Sequence, residues 1–492
     1  MPAVEPRGRV AVKGHAIPDR PNIVFFLADQ MRGDCLGVLG HPVVQTPHLD
    51  DMASNGVLFG SAYSSCPSCI ASRASIFTGL SPSSHGRLGY QDQVSWRYED
   101  MLPEVLAAAG YQTHCAGKTH FYPQRAHLGF HSLDSYEARQ NFDGTYVNDY
   151  SEWLRERTNG RMEEHDHGLT DNSWVARPSH LPEELHNSSW TATMAIRFLR
   201  RRDRTRPFFL NVSFHRPHAP LDPPQAFYDL YRDREAPPVP VGDWAAVHDV
   251  PVDGVDAWHG RLAPRELAQA RRAYWAQVAH VDSQIGRVLE ALKREIRPGP
   301  TYLVFASDHG EMLGDHHLFR KSYAYEGSAK IPLIIRAPER IAGQVCREPV
   351  ACEDIYPTIL HMAGLAAPRR TEGRSLLPFL GNPAHSLGRE YVHGEHAAFY
   401  GPETGMQFLT DGREKYVWFT LSGREQLFDL DTDPGETRDL AQDPRSASRR
   451  ERWRARMVET LAARPEDGLS DGRRLIPGTL LPAVREALTR TP

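Results

Sequence analysis

The sequence feature that most constrains the fold is a set of three short segments in which almost every residue is apolar. They span residues 23–28, 208–214 and 302–306. A strand that is apolar at every position is buried on both faces, which is typical of parallel sheets covered by helices. A fourth run, residues 331–335, contains Pro332 and fits a sheet edge or the start of a strand.

Helical patterns lie between these segments. In residues 266–295 the apolar positions recur at steps of three and four, which gives a helix with one buried stripe. Strands that alternate with helices predict an α/β fold, here a large αβα sandwich with a central, mostly parallel sheet. Residues 139–187 are polar and rich in histidine, and they predict an irregular insertion.

The pattern changes near residue 386. Short β-type runs follow, separated by Asp411-Gly412 and Ser422-Gly423, which are typical of hairpin turns. Helical stretches come after them at about residues 445–463 and 481–489. We therefore predict a leader over residues 1–20, a catalytic α/β domain over 21–385, and a smaller C-terminal α+β subdomain with an antiparallel sheet over 386–492.

Composition excludes several classes of function. The chain has 492 residues, with 57 Lys+Arg and 62 Asp+Glu, so its net charge of −5 gives no long-range attraction to nucleic acid. No segment approaches the roughly 18 apolar residues that cross a membrane. Residues 1–20 have no apolar signal-peptide core, and six cysteines make no disulfide framework. These observations favour a cytoplasmic protein with no membrane or nucleic-acid partner, and they leave a homo-oligomer open.

Polar and reactive residues follow all three apolar segments. The first segment ends in Asp29-Gln30, the second in His215-Arg216-Pro217-His218, and the third in Asp308-His309. In open α/β sheets, ligands bind beyond the carboxyl ends of the strands. Asp29 and Asp308 offer hard oxygen ligands, and Gln30 and His309 can complete a cation site. Any one of these pairs alone is better explained as a solvated strand end or a helix cap.

A cysteine-containing segment predicts a second reactive element. Residues 74–78 form a short helical pattern closed by Gly79, which places Cys69 at a helix N-terminus and Arg73 one turn further on. Backbone N–H groups at that position favour developing negative charge. The alternative is that Cys66 and Cys69 form a redox pair or half of a zinc site. The chain has no second C-x-x-C to support that alternative.

The segment Cys69-Ile70-Ala71-Ser72-Arg73, followed by Ala74 and Thr78-Gly79, resembles the signature of type I, formylglycine-dependent sulfatases. These arylsulfatase-like enzymes belong to the alkaline phosphatase superfamily. The resemblance continues in order along most of the chain, through residues 21–24, 46–50, 117–120, 217–220, 307–310, Lys321, 354–358, 427–430 and 433–434.

The resemblance implies a sulfuric ester hydrolase that cleaves sulfate monoesters to sulfate and an alcohol or phenol. Cys69 would be oxidised to the formylglycine nucleophile by a maturation enzyme. One divalent cation, Ca²⁺ in the first place with Mn²⁺ or Mg²⁺ also accepted, would be held by Asp29, Gln30, Cys69, Asp308 and His309. The remaining catalytic residues would be Arg73, which orients the nucleophile, Lys118 and Lys321, which clamp the sulfate, His218, which protonates the leaving oxygen, and His120, which accepts a proton from the second hydroxyl.

Four positions depart from the pattern of most relatives. Ala71 stands where most have Pro, Gln30 where many have a second Asp, His309 where many have Asn, and Tyr90 where many have Asn. With Asp29 and Asp308 as its only carboxylates, the first shell brings about −2 against a +2 ion, and we therefore expect tolerance of Mn²⁺.

Two rival functions stay open on the sequence. A phosphonate or phosphate ester hydrolase of the same superfamily also uses formylglycine and often has Gln after the first Asp, although Lys118 and His120 argue against it. A non-catalytic scaffold is the second rival, and it requires that Cys69 remain a thiol.

Overall fold

The computed structural model describes residues 20–138, 146–296, 299–339, 341–382 and 384–489, so the predicted leader lies almost wholly outside the described residues. The described strands form an eight-stranded sheet in the order β5-β4-β6-β1-β7-β8-β2-β9, a four-stranded sheet in the order β11-β12-β13-β14, and a small pair, β3 with β10. Their bounds are β1 Asn22–Asp29, β2 Val57–Phe59, β3 Ala62–Tyr63, β4 Gln112–Gly117, β5 Ser132–Ser135, β6 Phe208–Pro217, β7 Thr301–Ser307, β8 Leu333–Arg336, β9 Gln344–Cys346, β10 Val350–Ala351, β11 Val392–His396, β12 Met406–Thr410, β13 Glu414–Phe419 and β14 Glu425–Asp429.

The three apolar segments form the centre of the large sheet, as predicted. β1 pairs in parallel with β6 on one side and with β7 on the other, so that Ile23 lies opposite both Phe209 and Tyr302. The fourth run starts β8 directly after Pro332, which confirms a strand start. β8 is not an edge strand, because it pairs antiparallel with both β7 and β2.

Helices cover both faces of this sheet, which confirms the αβα sandwich. The described helices are α1 Pro47–Ser54, α2 Cys69–Thr78, α3 Pro82–His85, α4 Leu102–Ala108, α5 Asp149–Thr158, α6 Asn187–Arg201, α7 Gln225–Tyr231, α8 Pro264–Glu295, α9 Glu326–Ala329, α10 Ile355–Met362, α11 Ala447–Ala462 and α12 Glu486–Thr489. None of the helices within the described ranges has the length and apolar character needed to cross a bilayer.

Alternation along β1 explains the two layers. Val24, Phe26 and Ala28 pack in the core beneath α6 and α8. Ile23, Phe25 and Leu27 pack in a second core with α2, α4 and α10. Successive side chains of a strand point to opposite faces, so a strand that is apolar throughout serves both cores.

The C-terminal sheet is antiparallel throughout, and its hairpins occupy the predicted turns. Tyr416 and Leu427 on one face pack with Trp453 of α11. The other face packs against Tyr323 and Tyr325 of the large sandwich. A buried ion cluster joins the same two parts, because Lys415 of β13 contacts Glu326 of α9 at 2.8 Å and Glu436 at 2.9 Å.

The interpretation of residues 139–187 as irregular is wrong in part. Residues 139–145 lie outside the described part of the chain, and helix α5 occupies Asp149–Thr158. Asn148 caps this helix by accepting a hydrogen bond from the backbone N–H of Tyr150, and Tyr150 and Leu154 are buried. The polarity of the exposed face masked the two apolar positions that anchor the helix.

Candidate active site

Asp29 occupies the carboxyl end of β1 and is completely buried. One carboxylate oxygen, Oδ2, accepts a hydrogen bond from the Lys118 ammonium and lies 3.8 Å from Nη2 of Arg73. The other oxygen, Oδ1, lies 3.5 Å from both the Cys69 Sγ and the His309 Nε2. Asp29 therefore has one oxygen neutralised by cations and one directed at the predicted nucleophile.

Asp308 lies directly beyond the end of β7, and Arg73 holds it in place. The Arg73 Nε donates to Asp308 Oδ2 at 2.9 Å. Asp308 Oδ1 accepts hydrogen bonds from the backbone N–H groups of Gln30 at 3.1 Å and His309 at 3.0 Å. Arg73 also donates from Nη1 to the Lys118 carbonyl at 2.8 Å, so it joins three elements of the site.

Cys69 is the first residue of α2, as predicted, and α2 is buried along its whole length. Its Sγ lies 3.1 Å from the His309 Nε2. Gly79 ends the helix at φ 69°, and a Cβ at that position would meet a Tyr356 ring carbon at 2.7 Å. A left-handed conformation and a close ring contact together require glycine there.

Asp29, Cys69, Asp308 and His309 form the group best suited to hold a metal ion among the described residues. One ligand atom from each lies within 4.8 Å of the others, and all four residues are buried. Two carboxylates, an imidazole and the side chain of residue 69 are a donor set that fits a divalent cation.

Gln30 lies beside this group, at a positive φ of 68°. Its amide Nε2 donates to Glu311, and its Oε1 accepts from the Lys321 ammonium at 2.7 Å. Because a carbonyl oxygen has two lone pairs, the same Oε1 keeps one for a cation. Lys321 is also 2.7 Å from the His218 Nε2, so these three side chains form one chain of hydrogen bonds.

Lys118 and His120 lie in the segment directly after β4. Glu137 accepts hydrogen bonds from the backbone N–H groups of Thr119 at 2.6 Å and His120 at 2.7 Å. His120 lines the same cavity as Cys69, and its Nε2 lies 3.3 Å from Asp92 Oδ1. The Tyr90 hydroxyl donates to the other oxygen of Asp92 at 2.5 Å.

Burial and charge shift the pKa values of the site in opposite directions. Burial alone would raise the pKa of Asp29, but the positive charges of Lys118 and Arg73 hold it well below its usual value. Burial, followed by the neighbouring Lys321, lowers the pKa of His218 well below its usual value. Burial opposes the charge of Lys118, yet Asp29 raises the pKa of that ammonium. Asp29 and Lys118 therefore stabilise each other's charged forms.

A cavity of about 250 Å³ opens onto these residues. Cys69, His120, His218 and Lys321 line it, whereas Asp29, Arg73, Asp308 and His309 are fully buried beneath it. Sequence reasoning missed several of the other lining residues, namely Asp92, Asp171, Asn172, Arg320, Phe399 and Tyr400. Phe399 and Tyr400 come from the predicted C-terminal subdomain, and no motif in the sequence marks them.

The site combines a cysteine at a helix start, two buried carboxylates that fit a cation, and a cavity lined by Lys321. This arrangement suits the binding of an anionic ester. The sulfatase family model matches residues 21–365, and the model for the C-terminal region of N-sulphoglucosamine sulphohydrolase matches residues 314–463. The chain belongs to the sulfatase family, and it is an enzyme that hydrolyses sulfate esters.

Two sulfatases and one solved structure are similar to this chain over most of its length. The chain is 42% identical to an arylsulfatase of Clostridium perfringens, over 93% of this chain and 98% of the relative. It is 30% identical to a choline-sulfatase of Rhizobium meliloti, over 87% of this chain and 83% of the relative. A phosphonate monoester hydrolase of Agrobacterium radiobacter shares the fold with a TM-score of 0.77 at 27% identity, covering 90% of this chain and 96% of that one.

Proposed function

We propose that the enzyme cleaves aryl sulfate monoesters with a formylglycine made from Cys69 by a maturation enzyme. The observation that supports this most directly is the position of Cys69, whose Sγ lies 3.1 Å from His309 and 3.5 Å from Asp29 within the candidate cation group. An oxygen-bearing side chain at this position would lie against both the cation ligands and the cavity.

Asp29, Asp308, His309, Gln30 and residue 69 would hold the divalent cation. When bound, this cation lowers the pKa of the hydroxyl that attacks sulfur and neutralises charge on the sulfate oxygens. Ca²⁺ fits the carboxylates, and the neutral His309 and Gln30 extend the site to Mn²⁺ or Mg²⁺.

Lysines on both sides of Cys69 would bind the sulfate group. Lys118 approaches from the end of β4 and Lys321 from the segment before α9, so their ammonium groups can bind non-bridging oxygens from two directions. Arg73 is engaged with Asp308 and with backbone and serine oxygens, so its role is to fix the helix that carries the nucleophile.

Two histidines would move the protons. His218 lines the cavity 2.7 Å from the Lys321 ammonium, which can supply the proton that His218 passes to the leaving oxygen as the S–O bond breaks. His120 lines the same cavity, where it can accept the proton of the remaining hydroxyl while the C–O bond to sulfate breaks and the aldehyde re-forms.

The cavity favours an aromatic leaving group. Tyr90, Phe399 and Tyr400 line it, and the Tyr90 and Phe399 rings meet edge to face with centroids 5.4 Å apart. The 42% identity to a relative described as an arylsulfatase supports the same substrate class.

Phosphonate monoesters are the second candidate substrates. Gln30 and the fold of the phosphonate monoester hydrolase of Agrobacterium radiobacter favour them. The ratio of kcat/KM for an aryl sulfate to kcat/KM for an aryl phosphonate monoester separates the two candidates, and we expect it to favour the sulfate.

The test combines mass spectrometry with sulfate release. The peptide containing residue 69, taken from active enzyme, should carry an aldehyde oxygen in place of sulfur, and the metal-loaded enzyme should release inorganic sulfate from 4-nitrophenyl sulfate. Cys69→Ala should abolish release and leave the fold intact. An unmodified thiol in fully active enzyme would refute the assignment of residue 69 as a formylglycine nucleophile.

A further inference from the structure

An acidic side chain that no sequence motif marks lies behind His120. Asp92 lies in the segment between α3 and α4 and lines the active-site cavity. Its Oδ1 is 3.3 Å from the Nε2 of His120, and its Oδ2 accepts the Tyr90 hydroxyl at 2.5 Å. Both oxygens of this half-buried carboxylate are therefore engaged, one by the histidine and one by the tyrosine.

His120 is fixed from its backbone as well as from its ring. It has a positive φ of 62°, which is uncommon for a residue other than glycine. Glu137 holds this conformation by accepting the backbone N–H groups of both Thr119 and His120. A backbone held in a sparsely populated conformation next to a fixed ring is an arrangement for aiming a side chain.

We propose that Asp92 is a positioning residue that orients His120 for release of sulfate, with Tyr90 fixing the carboxylate. This proposal rests on the proposed function. An Asp92 carboxylate can only accept from His120, so the Nε2 bears the hydrogen and the lone pair of the ring lies on Nδ1. An acid that sets the tautomer and direction of a catalytic imidazole has the same role in serine hydrolases.

In the step concerned, the Nδ1 lone pair takes the proton of the free hydroxyl on the sulfated residue 69. The O–H electrons form the C=O bond, the C–O bond to sulfate breaks, and sulfate departs with that electron pair. The proton on His120 then returns to water. Asp92 takes no proton and keeps its charge throughout, which stabilises the cationic imidazolium.

The test exploits the order of the two chemical steps. With 4-nitrophenyl sulfate, kcat/KM reports the first step, in which nitrophenol leaves, whereas kcat includes release of sulfate. We expect Asp92→Asn to lower kcat by about 10- to 100-fold and to retain kcat/KM. A burst of nitrophenol should appear, and intact-mass spectrometry of acid-quenched enzyme should show one added sulfate group. Tyr90→Phe should give the same pattern to a smaller extent.

Asp134→Asn is the matched control, because Asp134 contacts His114 at the same 3.3 Å but outside the cavity. It should give neither the burst nor the added mass. The inference is overturned if Asp92→Asn lowers kcat and kcat/KM together, or changes neither. A wild-type enzyme that carries aldehyde and metal but releases no sulfate would instead refute the proposed function, so the two failures are distinguishable.

Discussion

Replacement of Arg73 by methionine tests how the two carboxylates are held before a cation binds. Arg73 is fully buried and donates hydrogen bonds at 2.9 Å to Asp308, at 2.8 Å to the Lys118 carbonyl and at 3.0 Å to Ser213. Methionine has a similar length and no charge. The substitution leaves Asp29 with Lys118, whereas Asp308 loses its arginine and keeps the backbone N–H groups of Gln30 and His309.

Breaking a buried ion pair by removing one partner costs about 3–5 kcal/mol, because the remaining charge is uncompensated. We expect Arg73→Met to lose about this much in the free energy of unfolding when a chelator is present. Lys415→Met provides a matched control, since Lys415 is equally buried and contacts Glu326 and Glu436. It should cost a similar amount.

Calcium should separate the two variants. At 100 times its Kd, a cation that binds only the folded state adds about 2.7 kcal/mol. In Arg73→Met the cation also compensates the carboxylate left without its arginine, so we expect a larger gain than in the wild type. Lys415→Met should gain only what the wild type gains.

The measurement is urea unfolding of each protein with chelator and with excess Ca²⁺, followed by tryptophan fluorescence. Equal calcium stabilisation of the two variants would refute the reasoning. A cost below about 1 kcal/mol for Arg73→Met would also refute it, because the pair would then not be behaving as a buried one.

Three further predictions concern His218, the identity of the cation and His186. His218→Ala should lower kcat/KM for alkyl sulfates by about 10²- to 10⁴-fold and much less for 4-nitrophenyl sulfate, since a good leaving group needs no proton; an equal loss across a series of leaving groups would contradict the assignment. After chelation, Mn²⁺ should restore activity as Ca²⁺ does, and strict dependence on Ca²⁺ in an add-back assay would refute the reading of the ligand set. Burial, only partly opposed by Asp222, lowers the pKa of His186 from 6.5 to about 4. As pH falls, the imidazole of residue 186 is therefore protonated in the unfolded chain at a higher pH than in the folded state. The free energy of unfolding consequently decreases by about 3 kcal/mol between pH 6.5 and pH 4. His186→Asn keeps the helix cap on Ser188 and should flatten this loss in pH-dependent urea unfolding, and an unchanged slope would contradict the assignment.

Much of this architecture could be predicted from the sequence because the central strands of a doubly wound sheet are apolar at almost every position. β1, β6 and β7 stood out for that reason, and the polar residues after them lie at one edge of the sheet as predicted. The antiparallel β8 could not be recognised, since strand direction leaves no trace in a run of five residues. The short β2 and β9 carried too few residues to show a period.

The missed site residues have a common cause. Asp92, Arg320 and Phe399 lie in loops, where no periodicity constrains which residue faces the cavity. The sequence predicts Gln30 as a cation ligand. Its hydrogen bonds with Glu311 and Lys321 could not be predicted, because they join residues almost 300 positions apart in the chain. Contacts between residues far apart along the chain are therefore the part of the site that the sequence does not predict.

The buried cluster of Lys415, Glu326 and Glu436 has a consequence for dividing the protein. Glu326 lies five positions after Lys321, and its backbone N–H donates to Glu436 at 2.6 Å. A fragment that stops at residue 385 would therefore leave Glu326 without Lys415, and Glu326 lies five positions along the chain from Lys321, which lines the cavity. In chimeras between relatives, β13, residue 436 and residues 321–329 should accordingly come from the same parent.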